Sequence, residues 1–249
     1  MSTQPAPEPA NFIVFLQPFP QETHRLSFTI NELVARREDG SELTLVMRQS
    51  TFPGDRLIGV QKKLLAVTLP PGRYLGLKLQ IDAASMKGEE GENALLPPGD
   101  PILVDYAFTI IAKQTEALFL SLSSDRLVTD GAFFTPKFSL WKPERMLRNL
   151  KGFVSNGGSQ SLTVFNKKSA LVADSIQVGK RPRDMVLDQR RGWLYVAMAG
   201  DNLIAVVEVN NKEILGQIRL HFGDEPTELA LSVSGNRLLA LNRGSQSVS

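Results

Sequence analysis

The chain has 249 residues, 42% of them hydrophobic and 22% charged, with 28 lysines and arginines against 26 aspartates and glutamates. That near balance argues against a dedicated nucleic-acid binder, which carries a strongly basic region. There is no cysteine, which excludes disulfides, thiolate metal sites and cysteine nucleophiles together, and no run reaches the ~18 apolar residues of a membrane-spanning helix.

Residues 1–10 are rich in proline and polar side chains (Pro5, Pro7, Pro9) and read as an extended, unpacked spacer. No export signal is visible in it. Residues 11–142 then read as a succession of short strands. Residues 11–16 are almost continuously apolar, which predicts a central strand. Leu26, Phe28 and Ile30 alternate with Ser27, Thr29 and Asn31, a strand with one wet face. Glu38-Asp39-Gly40 reads as a hairpin turn, and Leu43, Leu45 and Met47 alternate on the return. Residues 64–69 lead into Pro70-Pro71-Gly72, a strong turn, followed by Tyr74 and by Leu75, Leu77, Leu79 and Ile81 at period two. Residues 86–93, rich in glycine and glutamate, read as a loop. Residues 102–111, 117–122 and 133–140 supply the last strands. About seven short strands with frequent turns and no amphipathic helix predict a β-sandwich. Residues 143–152 read as a linker. Pro143 suits the first turn of a short helix, which would place Arg145, Arg148 and Lys151 near one face.

From residue 153 to 249 the sequence repeats itself. Gly179-Lys180-Arg181-Pro182 returns 44 residues later as Gly223-Asp224-Glu225-Pro226. Each copy is followed by an apolar run, a polar turn and a strand-like segment, Leu194-Tyr195-Val196-Ala197 and then Leu238-Leu239-Ala240-Leu241. Phe153-Val154-Ser155-Asn156 is an earlier copy of that segment. A period of roughly 40–45 residues made of four short strands is the pattern of β-propeller blades. Counted from residue 153, one period holds runs at 153–155, 162–165, 171–178 and 185–188. Glycine permits the bend, and proline fixes φ where the chain enters the next inner strand.

The segments 194–197, 203–208, 214–218, 223–226 and 234–238, with their earlier copies, resemble the YVTN family of propeller repeats. The resemblance covers about residues 150–249 and implies fold, not activity. Asn166 and Glu208 stand where that family's repeat has aspartate. The turn 69–74 with its alternating leucines resembles transthyretin-like and immunoglobulin-like sandwiches. The layout of 11–142 is similar to an uncharacterised domain family of bacterial exported lipoproteins, which implies a binding or spacing module outside the cytoplasm: cell surface, extracellular or periplasmic. The fold expected is therefore all-β: a spacer (1–10), a β-sandwich (11–142), a linker (143–152) and an incomplete propeller of about two blades (153–249). Closure takes at least four, so either further blades belong to a longer protein or partner chains supply them. Open blades are expected to associate through an exposed apolar face and free edge.

Catalytic constellations are thin. His24 and His221 are isolated, no Gly-x-Ser-x-Gly elbow surrounds a serine, and no paired histidines have metal-ligand spacing. Glu89, Glu90 and Glu92 read as a solvated loop tip without calcium-loop spacing. Gly157-Gly158-Ser159 lacks the lysine and following helix of a phosphate loop. Trp141, Trp193 and Tyr195 read as packing residues before sugar platforms. The loops entering the inner strands carry Arg181, Arg183 and Asp184 in one copy and Asp224, Glu225 and Glu228 in the next. Those six form the expected ligand-binding rim, with opposite charges that could pair across blades. No catalytic residue, metal or cofactor is expected. The function expected is non-enzymatic binding of a protein or carbohydrate; the alternatives are a lyase or hydrolase with its site in absent blades, and an assembly protein completed by partner chains.

Overall fold

Period-two alternation in the first half and short, nearly continuous apolar runs in the second both favour strands, and the chain forms strands accordingly. The computed structural model describes residues 8–47, 50–89, 91–143 and 150–249. Among them the regular structure is all-β apart from short 3₁₀ turns, Gln21–Thr23 and Gly54–Arg56 among them. Most of the expected spacer, Glu90, and the linker-helix face at Arg145 and Arg148 lie outside the described residues. The chain divides into two compact units, Met1–Lys142 and Pro143–Ser249.

The first unit holds β1 (Ala10–Leu16), β2 (Leu26–Arg37), β3 (Glu42–Thr44), β4 (Thr51–Pro53), β5 (Lys62–Leu69), β6 (Gly72–Lys87), β7 (Glu92–Leu95), β8 (Ile102–Ile110), β9 (Thr115–Leu122), β10 (Val128–Thr129), β11 (Phe133–Phe134) and β12 (Phe138–Trp141). One sheet has the order β12-β9-β1-β5. A second is built on the β2–β6 pair, with β3 and β4 on β2 and β7 and β8 on β6. The apolar strand β1 is indeed interior, antiparallel to β5 but parallel to β9. In the hairpin turn after β2, the Ser41 hydroxyl and N–H both donate to Asp39 Oδ1, at 2.5 and 2.9 Å. The hydroxyl foremost, these bonds hold the Asp39 carboxyl below its usual range.

Two expectations need correction. Residues 86–93 are not a loop throughout: β6 runs on to Lys87 and pairs with β7 from Glu92. Pairing satisfies backbone groups that a loop would leave to water, and Ser85 Oγ adds a bond to Glu92 Oε1 across the ladder. Residues 133–140 are two strands rather than one, because Pro136 has no donor for a ladder.

The two sheets bury a common core. Phe28 on β2 is its hub, with the rings of Phe19, Phe52, Phe134 and Phe138 centred 5.5–6.0 Å away. A second stack runs Phe12–Phe108–Tyr74, at 5.2 and 5.1 Å. Tyr74 is fully buried, and its hydroxyl donates to the Pro70 carbonyl at 2.9 Å. That bond gives the Pro-Pro-Gly-x-Tyr turn its physical logic: the ring fills the core and its polar tip locks the turn. Burial pushes the Tyr74 phenol up.

The second unit is three successive antiparallel sheets: β13 (Lys151–Asn156), β14 (Ser161–Asn166) and β15 (Val172–Gln177); then β16 (Pro182–Asp188), β17 (Trp193–Met198), β18 (Leu203–Glu208) and β19 (Ile214–Arg219); then β20 (Pro226–Leu231), β21 (Leu238–Asn242) and β22 (Ser247–Val248). The strand at 182–188, counted in sequence as the end of one period, instead opens the next sheet. Hydrogen bonding runs from β16 onward to β17. The backbone repeats with the sequence. Gln160, Asn202 and Gln246 take φ of 55°, 52° and 53° at matching turns; Arg181 and Glu225 take 51° and 45° before their prolines. Gly200 and Gly244 donate to the carbonyls of Lys180 and Asp224 at 3.1 and 2.9 Å. A Cβ on Gly244 would lie 1.9 Å from the Gly223 oxygen, so glycine is required there.

The central strands of the middle sheet, β17 and β18, are covered on both sides. Leu194, Val196, Met198, Ala205 and Val207 pack against Leu162, Val164 and Ile176 of the preceding sheet. Tyr195 and Ile204, with Trp193 and Val206, pack against Leu229, Leu231, Leu238 and Ala240 of the following one. This is why β17 is apolar at every position. Polar clasps cross the same seams. Lys212 pairs with Asp174 and Lys151 Nζ donates to the Val209 carbonyl, at 2.9 Å, between the first two sheets. At the second seam Arg190 donates to the Ser234 carbonyl, and Arg191 Nη1 bridges Gly235 O at 2.8 Å and Asp188 Oδ2 at 2.7 Å. The Arg191 backbone N–H, then its guanidinium, hold the Asp188 carboxyl below its ordinary value of 3.8.

Substituting Phe28→Ala should cost roughly 3–5 kcal/mol of stability, and Tyr74→Phe about 1 kcal/mol, both read by urea denaturation. Because the folded state lowers the pKa of Asp188, its contribution is fully present above the carboxyl's ordinary value and is lost as pH falls through and below it. The melting-temperature gap between the wild type and Asp188→Asn should therefore be widest near neutrality and close in acid. A gap that persists unchanged at low pH would contradict the clasp.

Candidate functional site

The Gly-x-x-Pro turns deliver β16 and β20 into their sheets, and each strand bulges immediately afterwards. The β16–β17 register shifts between Pro182 and Met185, and the β20–β21 register shifts between Pro226 and Glu228. A bulge takes residues out of the ladder and re-aims them. Here those residues are Arg183, Asp184 and Thr227. They line a cleft of about 630 Å³ together with Ser155, Gly157, Pro182, Glu228 and Leu229. All three sheets of the second unit contribute to it.

Asp184 Oδ2 accepts the Leu229 backbone N–H at 2.8 Å, which fixes β16 against β20 at the cleft. Arg183 and Glu228 are exposed, of opposite charge, on neighbouring sheets. Ser155 and Thr227 add hydroxyls. The lining thus offers a cation, carboxylates and hydroxyls on a surface held by backbone ladders.

Of the six expected rim residues, Arg183, Asp184 and Glu228 meet in the cleft, and Arg181, Asp224 and Glu225 do not line it. Asp224 is buried and turns back on its own loop, where Oδ2 accepts the His221 N–H at 2.8 Å. The Glu225 N–H donates to Asn202 Oδ1 at 3.0 Å, so this residue serves the turn. Among the described residues no ion pair joins the basic set to the acidic set, because the best-placed acids are engaged with backbone. Sequence reasoning missed Ser155 and Thr227. Thr227 follows the repeated proline and could have been found by that spacing; Ser155 belongs to a strand whose neighbour in space is set by sheet packing.

The other constellations separate in space. His24 Nδ1 lies 3.2 Å from the Gln21 carbonyl oxygen, and His221 is almost fully exposed, 3.8 Å from Asp224 Oδ2. Glu92 is engaged by Ser85. Among the described residues no group of three or more histidines or carboxylates is placed to hold a metal. Tyr195 and Trp193 pack between sheets. Trp141 donates to Ser121 Oγ at 2.8 Å and leans on Phe119. Gly157 and Gly158 form the β13–β14 turn. No helix of the described residues is long and apolar enough to cross a membrane.

Removing the Asp184 acceptor with Asp184→Ala leaves the Leu229 N–H unpaired and should cost about 1–3 kcal/mol. Asp184→Asn keeps an acceptor oxygen and should cost less. Thermal denaturation of both variants tests this; equal losses would show that the carboxylate does not tie the strands.

No protein-family model matches the chain, and no curated protein matches it. Among solved structures it is similar to a hydrazine synthase of Kuenenia stuttgartiensis, with 20% identity over 40% of this chain and 31% of that one and a TM-score of 0.33. A candidate 6-phosphogluconolactonase from Bacteroides uniformis is 12% identical over 90% of this chain and 63% of that one, with a TM-score of 0.35. A protein from Lactobacillus plantarum is 14% identical over 90% and 61%, with a TM-score of 0.36. The chain spans less than two thirds of each of these proteins, and likenesses this slight assign it no activity.

Proposed function

We propose that the protein is a non-catalytic binding module, exported from the cytoplasm, whose second unit is a run of β-propeller blades of the YVTN kind and whose first unit is a β-sandwich. One observation carries the binding role: the bulged first strands of two sister sheets, with the strand end of a third, converge on a single polar cleft. The propeller reading is supported by the recurrence of the same turn conformations from sheet to sheet and by sheets that need a neighbour on either side. The sandwich reading is supported by two sheets sharing one core. Export is supported by the resemblance of the first unit to domains of exported lipoproteins.

The cleft suits a ligand that is polar and carries several hydrogen-bonding groups, a carbohydrate or a charged peptide segment. Arg183 supplies planar donors for a carboxylate or carbonyl. Glu228 accepts hydroxyl or amine protons, and Ser155 and Thr227 do both. In a titration of isotope-labelled protein with simple sugars and short charged peptides, amide shifts should cluster at Ser155, Arg183, Thr227 and Glu228. Arg183→Ala should abolish them. Shifts gathered elsewhere, or none from any probe, would overturn the reading.

A further inference from the structure

A second cleft opens in the first unit, between the end of β7 and the segment from β11 to β12, and it shares no residue with the polar cleft of the second unit. Its volume is about 650 Å³, inside the range of ~300–1,000 Å³ that accepts one small organic molecule. Leu96 and Phe133 are partners in a parallel bridge. The Leu96 N–H donates to the Ala132 carbonyl and the Phe134 N–H to the Leu96 carbonyl, each at 2.8 Å. Phe134 belongs to the core at 1% exposure, which leaves Phe133 outside at 47%, beside Leu96 at 54%. Ile102, the first residue of β8, adds to the apolar lining. Large apolar side chains held half-exposed around a concavity mark a surface that takes up something apolar. The rest of the wall has little polar to present. Pro97, Pro98 and Pro136 carry no N–H. The Thr135 N–H is engaged by the Leu127 carbonyl at 2.9 Å, and its hydroxyl by the Arg126 carbonyl at 2.7 Å. Lys137 is the one charged residue of the lining among the described residues. Its Nζ lies 3.2 Å from Asp125 Oδ2, with the two side chains 64% and 67% exposed, so water and salt weaken the pair.

We infer that this cleft binds a small amphipathic anion: an apolar chain or ring bearing one carboxylate, with Lys137 as its counter-charge. An apolar body suits walls whose donors are absent or already engaged, because a polar one would lose water there without finding partners. The carboxylate follows from the sign of Lys137, and it takes the place of Asp125 readily, since an exposed pair is weak. Three prolines and the two bridge bonds fix the walls before a ligand arrives, so little ordering opposes binding. Size argues for a small molecule over a protein face. Stable protein interfaces take about 20–30 residues a side, whereas ten residues line this cleft.

Titrating the isotope-labelled 249-residue protein with decanoate and with decanol, both below their aggregation limits, tests this. Decanoate should bind saturably, with amide shifts at Leu96, Gly99, Phe133 and Thr135. It should bind about twofold to fivefold more tightly than decanol, the contribution of one exposed ion pair. Lys137→Ala should remove that preference, and Asp125→Asn, which frees the amine, should enlarge it. Phe133→Ala, at a half-exposed position, should weaken both probes about tenfold with the far-ultraviolet spectrum unchanged. Arg183→Ala, in the second unit, should change neither. The inference is overturned by the lack of a saturable shift from either probe, by shifts gathered outside the cleft, by equal affinity for the acid and the alcohol, or by binding indifferent to Phe133→Ala. Concentration-dependent shifts at the same amides without any probe, the mark of a second copy seated in the cleft, would overturn it too.

Discussion

Strands that are apolar on both faces impose the governing constraint on the second unit: each such sheet must be covered twice. β17 carries Leu194, Val196 and Met198 toward one neighbour and Tyr195 and Ala197 toward the other. Burying a Leu- or Val-sized side chain stabilises by about 1.5–3 kcal/mol, and a lone sheet would recover only half of that. The three sheets thus stand or fall together. Polar clasps at their seams, such as Asp188 to Arg191 to Gly235, set register rather than supply the main stabilisation.

The first unit meets the same need differently. Its strands mostly alternate, and two sheets turn their apolar sides toward a shared interior of stacked rings around Phe28 and Phe108. Gly76 shows how tight the ladder is. With φ at 152°, a Cβ there would sit 2.2 Å from the Val104 carbonyl oxygen. The parallel pairing of β1 with β9 closes one sheet across a long stretch of intervening chain.

Much of this was legible from residues alone, and for stated reasons. Period-two alternation marked β2 and β6. The repeated Gly-x-x-Pro marked β16 and β20, and the Pro-Pro-Gly-x-Tyr turn marked the start of β6. What failed was pairing that composition does not signal, whether the partner is near in sequence or far. Residues 86–93 have a loop's composition, but a facing strand made them a hairpin. The β1–β9 pairing has no local signal at all. At the candidate site, Arg183, Asp184 and Glu228 were found by their place in the repeat. Asp224 and Glu225 shared that place yet serve their own turns, a difference set by backbone hydrogen bonds that charge and spacing do not reveal. Ser155 entered only because packing brings β13 beside β16.

The bulges after Pro182 and Pro226 carry one further implication. Residues displaced from a ladder contribute little to its hydrogen bonding or to the interior, so their side chains are under weak structural selection. Arg183 and Thr227 stand at such positions, between prolines and apolar positions that the scaffold holds fixed. Under the binding role proposed above, recognition can drift by single substitutions while the architecture beneath is untouched, and relatives built on the same sheets would differ first at those two places.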